Sequence, residues 1–277
     1  MITLLLLAGL AMSPDIEPPP KYKVRVEDHE VWVETADGEK RVVFDALAAE
    51  PAAVSPNGDR VVYAVDNPNG DCNEAPRQYI ALVSNQGSPI WKVALDNCNE
   101  FNHFEWIDEH RIGAKMCGHA NCFYWVLDAA TGKTLQQLSS GFDFLWSHNR
   151  QLVAHHIPFY NEESGSSLYI GEREVNYPKR DVRTGQLPVV DIGELTWSPD
   201  DKWISFPETD YPSYDSYVVL VSPRGEVLRE SLPVDVEYSN KVVWTDSSHF
   251  QITTSKRTFY FVVEGGKLRE IAAPALH

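Results

Sequence analysis

The triplet from Gly132 to Thr134 is the stretch of this sequence that most directly suggests nucleotide chemistry, because it spells Gly-Lys-Thr. A phosphate-binding loop also needs a glycine five positions earlier and a junction between a strand and a helix. That position holds Leu127, and the residues after Lys133 read "TLQQL", which is typical of a strand. We therefore interpret the triplet as a hairpin turn in which Gly132 adopts the positive φ that a tight turn requires and Lys133 faces solvent.

Hydrolysis would need an activated serine or a pair of carboxylates. The Gly-x-Ser-x-Gly elbow of serine hydrolases does not occur in the sequence. Paired carboxylates could cleave a glycosidic bond as acid and base. Residues beside the innermost strands should point toward a central funnel, and the candidates there are Glu100, His103, Asp143, Asp191 and Glu194. We assign no catalytic residues, with Asp143, Glu194 and His103 as the alternative set. Because the chain has 40 acidic residues, some must fall there by chance, and we favour a solvated channel without catalysis.

Two segments could be considered for metal binding. Residues 66–74, "DNPNGDCNE", are rich in oxygen ligands but lack the spacing of an EF-hand calcium loop. His155 and His156 are adjacent, and successive residues of a strand face opposite sides, so a regular strand does not direct both to one ion. We expect no metal and no cofactor, with calcium as the alternative, and a structural or surface role for the two histidines.

Four cysteines, an even number, suggest two disulfides in an exported protein. Cys117 and Cys122 flank "GHAN", so their pairing would close a short hairpin, and Cys72 would then pair with Cys98. Four cysteines allow three pairings, and the sequence does not choose among them. A zinc site is the rival interpretation, but the Cys-x4-Cys spacing does not favour it.

The strands that would position these residues can be recognised because they recur in a sequence repeat. Five segments share a short apolar strand, one large residue, a polar turn and a second strand. The large residues are Val54, Trp106, Trp146, Trp197 and Trp244, separated by 52, 40, 51 and 47 residues. This period is typical of four-stranded propeller blades.

The second half of each repeat is a hairpin with a glycine-containing turn. These turns read "NQG", "ATGK", "PRG" and "EGGK", and "ADGE" forms another in the strand-rich segment before the first repeat. We predict an all-β, single β-propeller of four-stranded antiparallel blades, with six blades favoured over five. The N-terminal strands should share a blade with the C-terminal "REIAAPALH" or form a nearly complete blade themselves.

Two repeats, "VSPNGDRVVYAV" and "WSPDDKWISF", resemble the Ser-Pro-Asp-Gly repeats of the TolB-like propeller family. In this motif, proline fixes the turn, Asp or Asn caps it, and a Gly or Asp takes the unusual backbone position. Trp106, Trp146 and Trp244 keep the aromatic residue without Ser-Pro. The resemblance implies the propeller fold and blade packing through the tryptophans, and it implies little about function.

The long insertions all fall in loops between the second and third strands of a blade. These loops lie on the same face as the connections between blades, and we call this side the loop face. All four cysteines are placed there. Tyrosines among acidic residues in these loops could form a contact surface, and the partner-binding candidates are Tyr160, Glu162, Tyr211, Tyr214 and Asp215.

The composition excludes one class of partner. The chain has 277 residues and a formal charge of -16, so phosphate backbones and anionic lipids repel it. We therefore expect no nucleic-acid partner. We also expect a monomer with no integral membrane span.

The N-terminus predicts export. Residues 2–12 form an apolar run of 11 residues, too short to cross a bilayer but suited to a signal peptide, although a basic leading segment is missing. A buried strand or a misplaced start codon is the alternative. We divide the chain into a signal peptide at 1–13, a Pro-rich linker at 14–21 and the propeller at 22–277.

Two functions are consistent with these features. The first is an exported, non-enzymatic propeller, periplasmic or extracellular, that binds a protein or cell-envelope component through the loop face. The alternative is a hydrolase that acts on a glycan or peptide with acidic residues in the central funnel.

Overall fold

The computed structural model describes residues 22–35, 38–71, 74–95, 100–117, 122–157, 166–175, 177, 190–211, 213–233, 235 and 240–273, with the backbone alone at 139–143. The predicted signal peptide and linker lie outside these residues. No helix of the described part is long and apolar enough to cross a membrane.

The described chain is all-β and forms six antiparallel blades, two of which share a strand and join into one seven-stranded sheet, as predicted for a six-bladed propeller. The first two blades are built from strands β1 (Lys23–Glu27), β2 (Glu30–Thr35), β3 (Gly38–Phe44), β4 (Ala48–Val54), β5 (Arg60–Asp66), β6 (Gln78–Ser84) and β7 (Pro89–Val93). The third and fourth comprise β8 (Phe101–Asp108), β9 (Arg111–Cys117), β10 (Cys122–Asp128), β11 (Thr134–Trp146), β12 (Val153–Ile157), β13 (Ser167–Ile170) and β14 (Arg173–Glu174).

The last two blades complete the set. Their strands are β15 (Val190–Ile192), β16 (Thr196–Trp197), β17 (Ile204–Asp210), β18 (Ser216–Val221), β19 (Val227–Leu232), β20 (Val242–Trp244), β21 (His249–Thr253), β22 (Thr258–Glu264) and β23 (Lys267–Ile271). Strand β11 is shared, because its first half pairs with β10 and its second half with β12. The inner position of the fifth blade is divided between β15 and β16, which both pair with β17.

The predicted glycine turns join the two outer strands of their blades. Gly132 has a φ of 70° between β10 and β11, and Gly87 has a φ of 81° between β6 and β7. A side chain disfavours this left-handed conformation, which explains the glycines. The Gly-Lys-Thr triplet is therefore confirmed as a hairpin turn.

The turns after the first strand share one hydrogen-bond pattern. Ser55 Oγ donates to Asn57 Oδ1 (2.8 Å) and accepts from the backbone N–H of Arg60 (3.0 Å). Ser147 and Ser198 repeat both bonds in the fourth and fifth blades. The turn chemistry thus persists after Trp146, where proline is absent, because serine and the following Asn or Asp supply its bonds.

The repeated tryptophans join neighbouring blades. The Nε1–H of Trp106 donates to the carbonyl of Ala53 (3.3 Å), and that of Trp197 donates to the carbonyl of Leu145 (3.0 Å). Five buried apolar clusters fill the spaces between successive blades from the first to the sixth. Burial between blades is therefore what holds the array together.

The first blade has three described strands, and they occupy the second, third and outer positions. Tyr22, just before β1, donates a hydrogen bond to the carbonyl of Asn57 in the first turn of the second blade. Arg60, at the start of the second strand of that blade, makes the equivalent bond to the carbonyl of Glu109 in the third. Strand β1 therefore occupies the second position of its blade. The prediction of a nearly complete N-terminal blade is thus confirmed. In the alternative, "REIAAPALH" would join this blade; its residues Arg269–Ile271 pair instead with β22 in the sixth blade, and residues 274–277 lie outside the described part.

Candidate functional site

A cavity of about 420 Å³ lies in the central funnel, with walls from the third to sixth blades. Its polar lining consists of His103, Glu105, Lys115, Tyr124, Glu194 and Lys241, and Phe144, Leu145 and Leu195 supply its apolar surface. We call this the funnel cavity. Its volume falls within the range of about 300–1,000 Å³ that small-molecule sites occupy.

One wall of the funnel cavity is a row of cross-strand neighbours. His103 on β8 lies opposite Lys115 on β9, and Lys115 lies opposite Tyr124 on β10. Residues in register on adjacent strands present their side chains on the same face of the sheet. The sheet therefore directs all three side chains toward the cavity.

Tyr124 anchors a hydrogen-bond network behind this wall. Its hydroxyl donates to Glu105 Oε1 (2.7 Å) and accepts from Trp146 Nε1–H (2.8 Å), while its ring stacks on Phe144 at 5.1 Å. Burial, together with the charge of Glu105, raises the pKa of Tyr124. The hydroxyl is therefore a fixed donor and not a general base at neutral pH.

Gly113 makes this network sterically feasible. It lies opposite Glu105 on β8, and a Cβ atom placed on it would sit 1.8 Å from Tyr124 Oη and 3.0 Å from Glu105 Cγ. Only glycine leaves the space through which the tyrosine reaches the carboxylate.

The carboxylates of the cavity already have cationic neighbours. Lys241 Nζ lies 2.5 Å from Glu194 Oε1, and Arg150 lies 3.7 Å from Glu105 Oε2. An adjoining cavity of about 430 Å³ shares Glu105 and Lys241 and adds Arg150 and Thr196. The Thr196 hydroxyl is buried and has no hydrogen-bond partner among the described residues.

The structure brings together part of the predicted catalytic set. His103 and Glu194 line the same cavity, while the side chain of Asp143 is outside the described part. Glu100 is exposed and lies 3.8 Å from Arg77. Asp191 is half-buried on β15, and burial raises its pKa. Neither Glu100 nor Asp191 lines the cavity, so the sequence prediction that they face the funnel together with His103 and Glu194 is not supported.

The sequence reasoning missed Glu105, Lys115, Tyr124 and Lys241. It considered residues beside the inner strands, whereas Lys115 and Tyr124 project from the second and third strands of the blade. A glycine inside an otherwise regular strand, Gly113, was the available signal, because such a glycine often marks a close approach.

His155 and His156 are buried in the fourth blade, which confirms a structural role and excludes a surface one. The His155 ring stacks between Phe144 (4.9 Å) and Tyr169 (5.2 Å), and its Nε2 lies 3.0 Å from the carbonyl oxygen of Gly171. Burial lowers the pKa of His155 from its usual value of 6.5.

The lowered pKa of His155 predicts a loss of stability in mild acid. The unfolded chain takes up the proton as the pH falls through about 6.5, whereas the folded protein does so only at lower pH. In that pH window, His155 makes the unfolding free energy of the wild type fall by up to about 1.4 kcal/mol for each pH unit of acidification. We expect the His155→Phe variant to lack this contribution. Urea unfolding at several pH values measures this slope. The exposed His110→Gln variant should keep the wild-type slope, and an equal slope for His155→Phe would contradict the prediction.

A second buried network lies between the fourth and fifth blades. The Glu208 side chain is 1% exposed and accepts a hydrogen bond from Tyr177. Arg229 Nη2 lies 2.7 Å from Glu208 Oε1, an ion pair without hydrogen-bond geometry, and 2.7 Å from Asp210 Oδ1. Burial raises the pKa of Glu208.

The loop after this network carries two of the predicted partner-binding tyrosines. Tyr211 and Tyr214 meet edge to face at 5.1 Å, and Tyr214 is 63% exposed with a left-handed φ of 61°. The backbone N–H of Tyr214 donates to the carbonyl of Asp210 (2.8 Å), so the loop is closed by its own backbone, and Asp215 is exposed beside it. Tyr160 and Glu162 lie outside the described residues.

The predicted hairpin disulfide is present. Cys117 and Cys122 are bonded, and they form a cross-strand pair at the loop-face end of β9 and β10. Cys72 and Cys98 lie outside the described residues, so their pairing stays a prediction. The oxygen-rich loop at 66–74 is described only in part, and its calcium option is likewise untested.

Comparison with known proteins supports the fold alone. No protein-family profile and no curated protein sequence matches the chain. Among solved structures, dipeptidyl peptidase 4 of Porphyromonas gingivalis matches with a TM-score of 0.59 and 11% identity over 96% of this chain. A eukaryotic initiation factor matches with a TM-score of 0.56 and 13% identity over 91%. This chain spans 46% and 63% of the lengths of those two chains.

Proposed function

We propose that this protein is a non-enzymatic, exported propeller that binds a protein or cell-envelope partner through its loop face. The observation that carries the proposal is the distribution of exposed apolar side chains. Six large ones are exposed in the described part: Phe44, Leu47 and Tyr214 lie at loop-face ends of their blades, Ile90 and Leu135 lie on outer strands near the opposite turns, and Val243 lies on an inner strand. Exposed apolar groups on one face favour an interaction surface.

The tyrosine pair is the expected centre of this surface. Tyr211 and Tyr214 combine large apolar rings with hydroxyl groups, which is the side-chain chemistry enriched in binding hot spots. The backbone bonds of the loop hold the pair in place before binding, so little conformational freedom is lost on association. The Cys117–Cys122 disulfide on the same face supports the proposed export, because disulfides persist in oxidising compartments.

A hydrolase is the less favoured function. His103 and Glu194 do line one cavity, but Lys241 holds Glu194 in an ion pair. Glu105 accepts a hydrogen bond from the Tyr124 hydroxyl. These contacts leave neither carboxylate poised as a free acid or base.

The test is partner capture from an envelope extract of the source organism. We expect the Tyr211→Ala/Tyr214→Ala variant to recover at least about tenfold less partner than the wild type, because a tyrosine hot spot contributes about 2 kcal/mol or more. The matched control is Ile90→Ala/Leu135→Ala, which removes exposed side chains from the outer strands β7 and β11. Equal recovery by the tyrosine variant and the control would reject the proposed surface.

A further inference from the structure

We propose that the funnel cavity binds a small organic carboxylate with an apolar body, and that Lys115 holds the carboxylate group. The site is distinct from the loop-face surface, and the inference does not depend on partner binding.

The first argument is the charge balance of the cavity. Glu194 is paired with Lys241, and Glu105 is engaged by Tyr124 and Arg150. Lys115 is half-buried, and no ion pair links it to any described side chain; its Nζ lies 5.9 Å from the centre of the Phe144 ring. A partly desolvated ammonium to which no described side chain supplies a counter-charge favours an anionic ligand, and a ligand carboxylate would provide that charge.

The neighbours of Lys115 reinforce its preference for an anion. His103 is its cross-strand partner on one side and contributes no negative charge. Tyr124 is its partner on the other side, and its hydroxyl already donates to Glu105. The anion would therefore meet Lys115 at the wall, with no competing carboxylate bound to it among the described residues.

The second argument is the apolar surface next to this cation. Phe144, Leu145 and Leu195 line the same cavity as Lys115, so a hydrophobic group attached to the carboxylate would lie against them. Such pockets commonly combine an apolar lining with one or two charged groups that fix orientation.

The overall negative charge of the chain means that a carboxylate can be bound only through local contacts in the cavity. A carboxylate approaches a chain of charge -16, so binding must come from local contacts and not from long-range attraction. A neutral molecule of the same shape would keep the apolar contacts and lose only the contact with Lys115. The comparison of these two ligands isolates the proposed interaction.

The experiment is isothermal titration with phenylacetate and its neutral analogue phenylacetamide at neutral pH. We expect phenylacetate to bind wild-type protein at least about tenfold more tightly, because a charge-assisted hydrogen bond contributes about 1.5–3 kcal/mol. Lys115→Met should weaken phenylacetate binding by about tenfold or more and leave the two ligands with equal affinity.

The matched control is Lys92→Met. Lys92 also lies over an aromatic ring, that of Tyr79 at 4.6 Å, but it projects from the outer strand β7. This variant should keep wild-type affinity for both ligands, and thermal unfolding should show that both lysine variants are folded. Equal affinity of the wild type for the two ligands, no binding of phenylacetate at millimolar concentration, or unchanged binding by Lys115→Met would each overturn the inference.

Discussion

Replacing Glu208 with alanine should lower the free energy of unfolding by about 3–5 kcal/mol, because it breaks a buried ion pair and leaves the partners unsatisfied. Glu208 is 1% exposed and joins Tyr177 of the fourth blade to Arg229 of the fifth. Its removal takes away the acceptor of the tyrosine hydroxyl and leaves Asp210 as the remaining carboxylate at the guanidinium among the described residues.

Equilibrium unfolding in urea measures this effect as a shift of the midpoint at constant slope. The matched control is Asp210→Asn, which removes the other partner of Arg229. Its side chain is 28% exposed, so the loss should stay below about 1 kcal/mol. A Glu208→Ala loss as small as that of the control would show that the network does not stabilise the seam between the blades.

Replacing Gly113 with alanine is expected to have an effect of similar size for a steric reason. The added Cβ would lie 1.8 Å from Tyr124 Oη, so the phenol must move and lose its bonds to Glu105 and Trp146. Overpacking of about 1–3 kcal/mol and the loss of a bond to a charged acceptor, about 1.5–3 kcal/mol, together predict about 2.5–6 kcal/mol.

Two comparisons test the steric cause. Gly171→Ala is the control, because its φ is 60° and its nearest neighbour would be 3.5 Å away, so only the backbone cost of about 1–2 kcal/mol applies. Tyr124→Phe removes the clashing oxygen, so the double variant Gly113→Ala/Tyr124→Phe should lose clearly less stability than the sum of the single losses. Additive losses, or a Gly113→Ala loss no larger than that of Gly171→Ala, would contradict the proposed role of the glycine.

The fold was accessible from the sequence because its signals are local and repeated. A turn glycine such as Gly132 acts within its own hairpin, and the serine of "VSPNGD" forms its bonds within five residues. Five repetitions made the period visible despite the loss of Ser-Pro after Trp106, Trp146 and Trp244. The hairpin disulfide was similarly local, since Cys117 and Cys122 flank one short loop.

The candidate site was only partly accessible. His103 and Glu194 were identified because they adjoin inner strands, and the structure places both on the funnel cavity. Lys115 was not identified from the sequence, because its role depends on which residues stand opposite it on β8 and β10. Register in these hairpins depends on turn geometry and on the irregularities between β8 and β9, which the repeat motifs did not specify.

The amino-acid sequence by itself determined the class of the fold, the blade period and the turns, because short-range backbone chemistry produces each of them. The tertiary structure alone decided which charges lie together. It placed Glu208 of one blade against Tyr177 of another, and it opened the space at Gly113 for Tyr124. These contacts join residues far apart in the chain, and their energies depend on burial and distance, which exist only once the blades have packed.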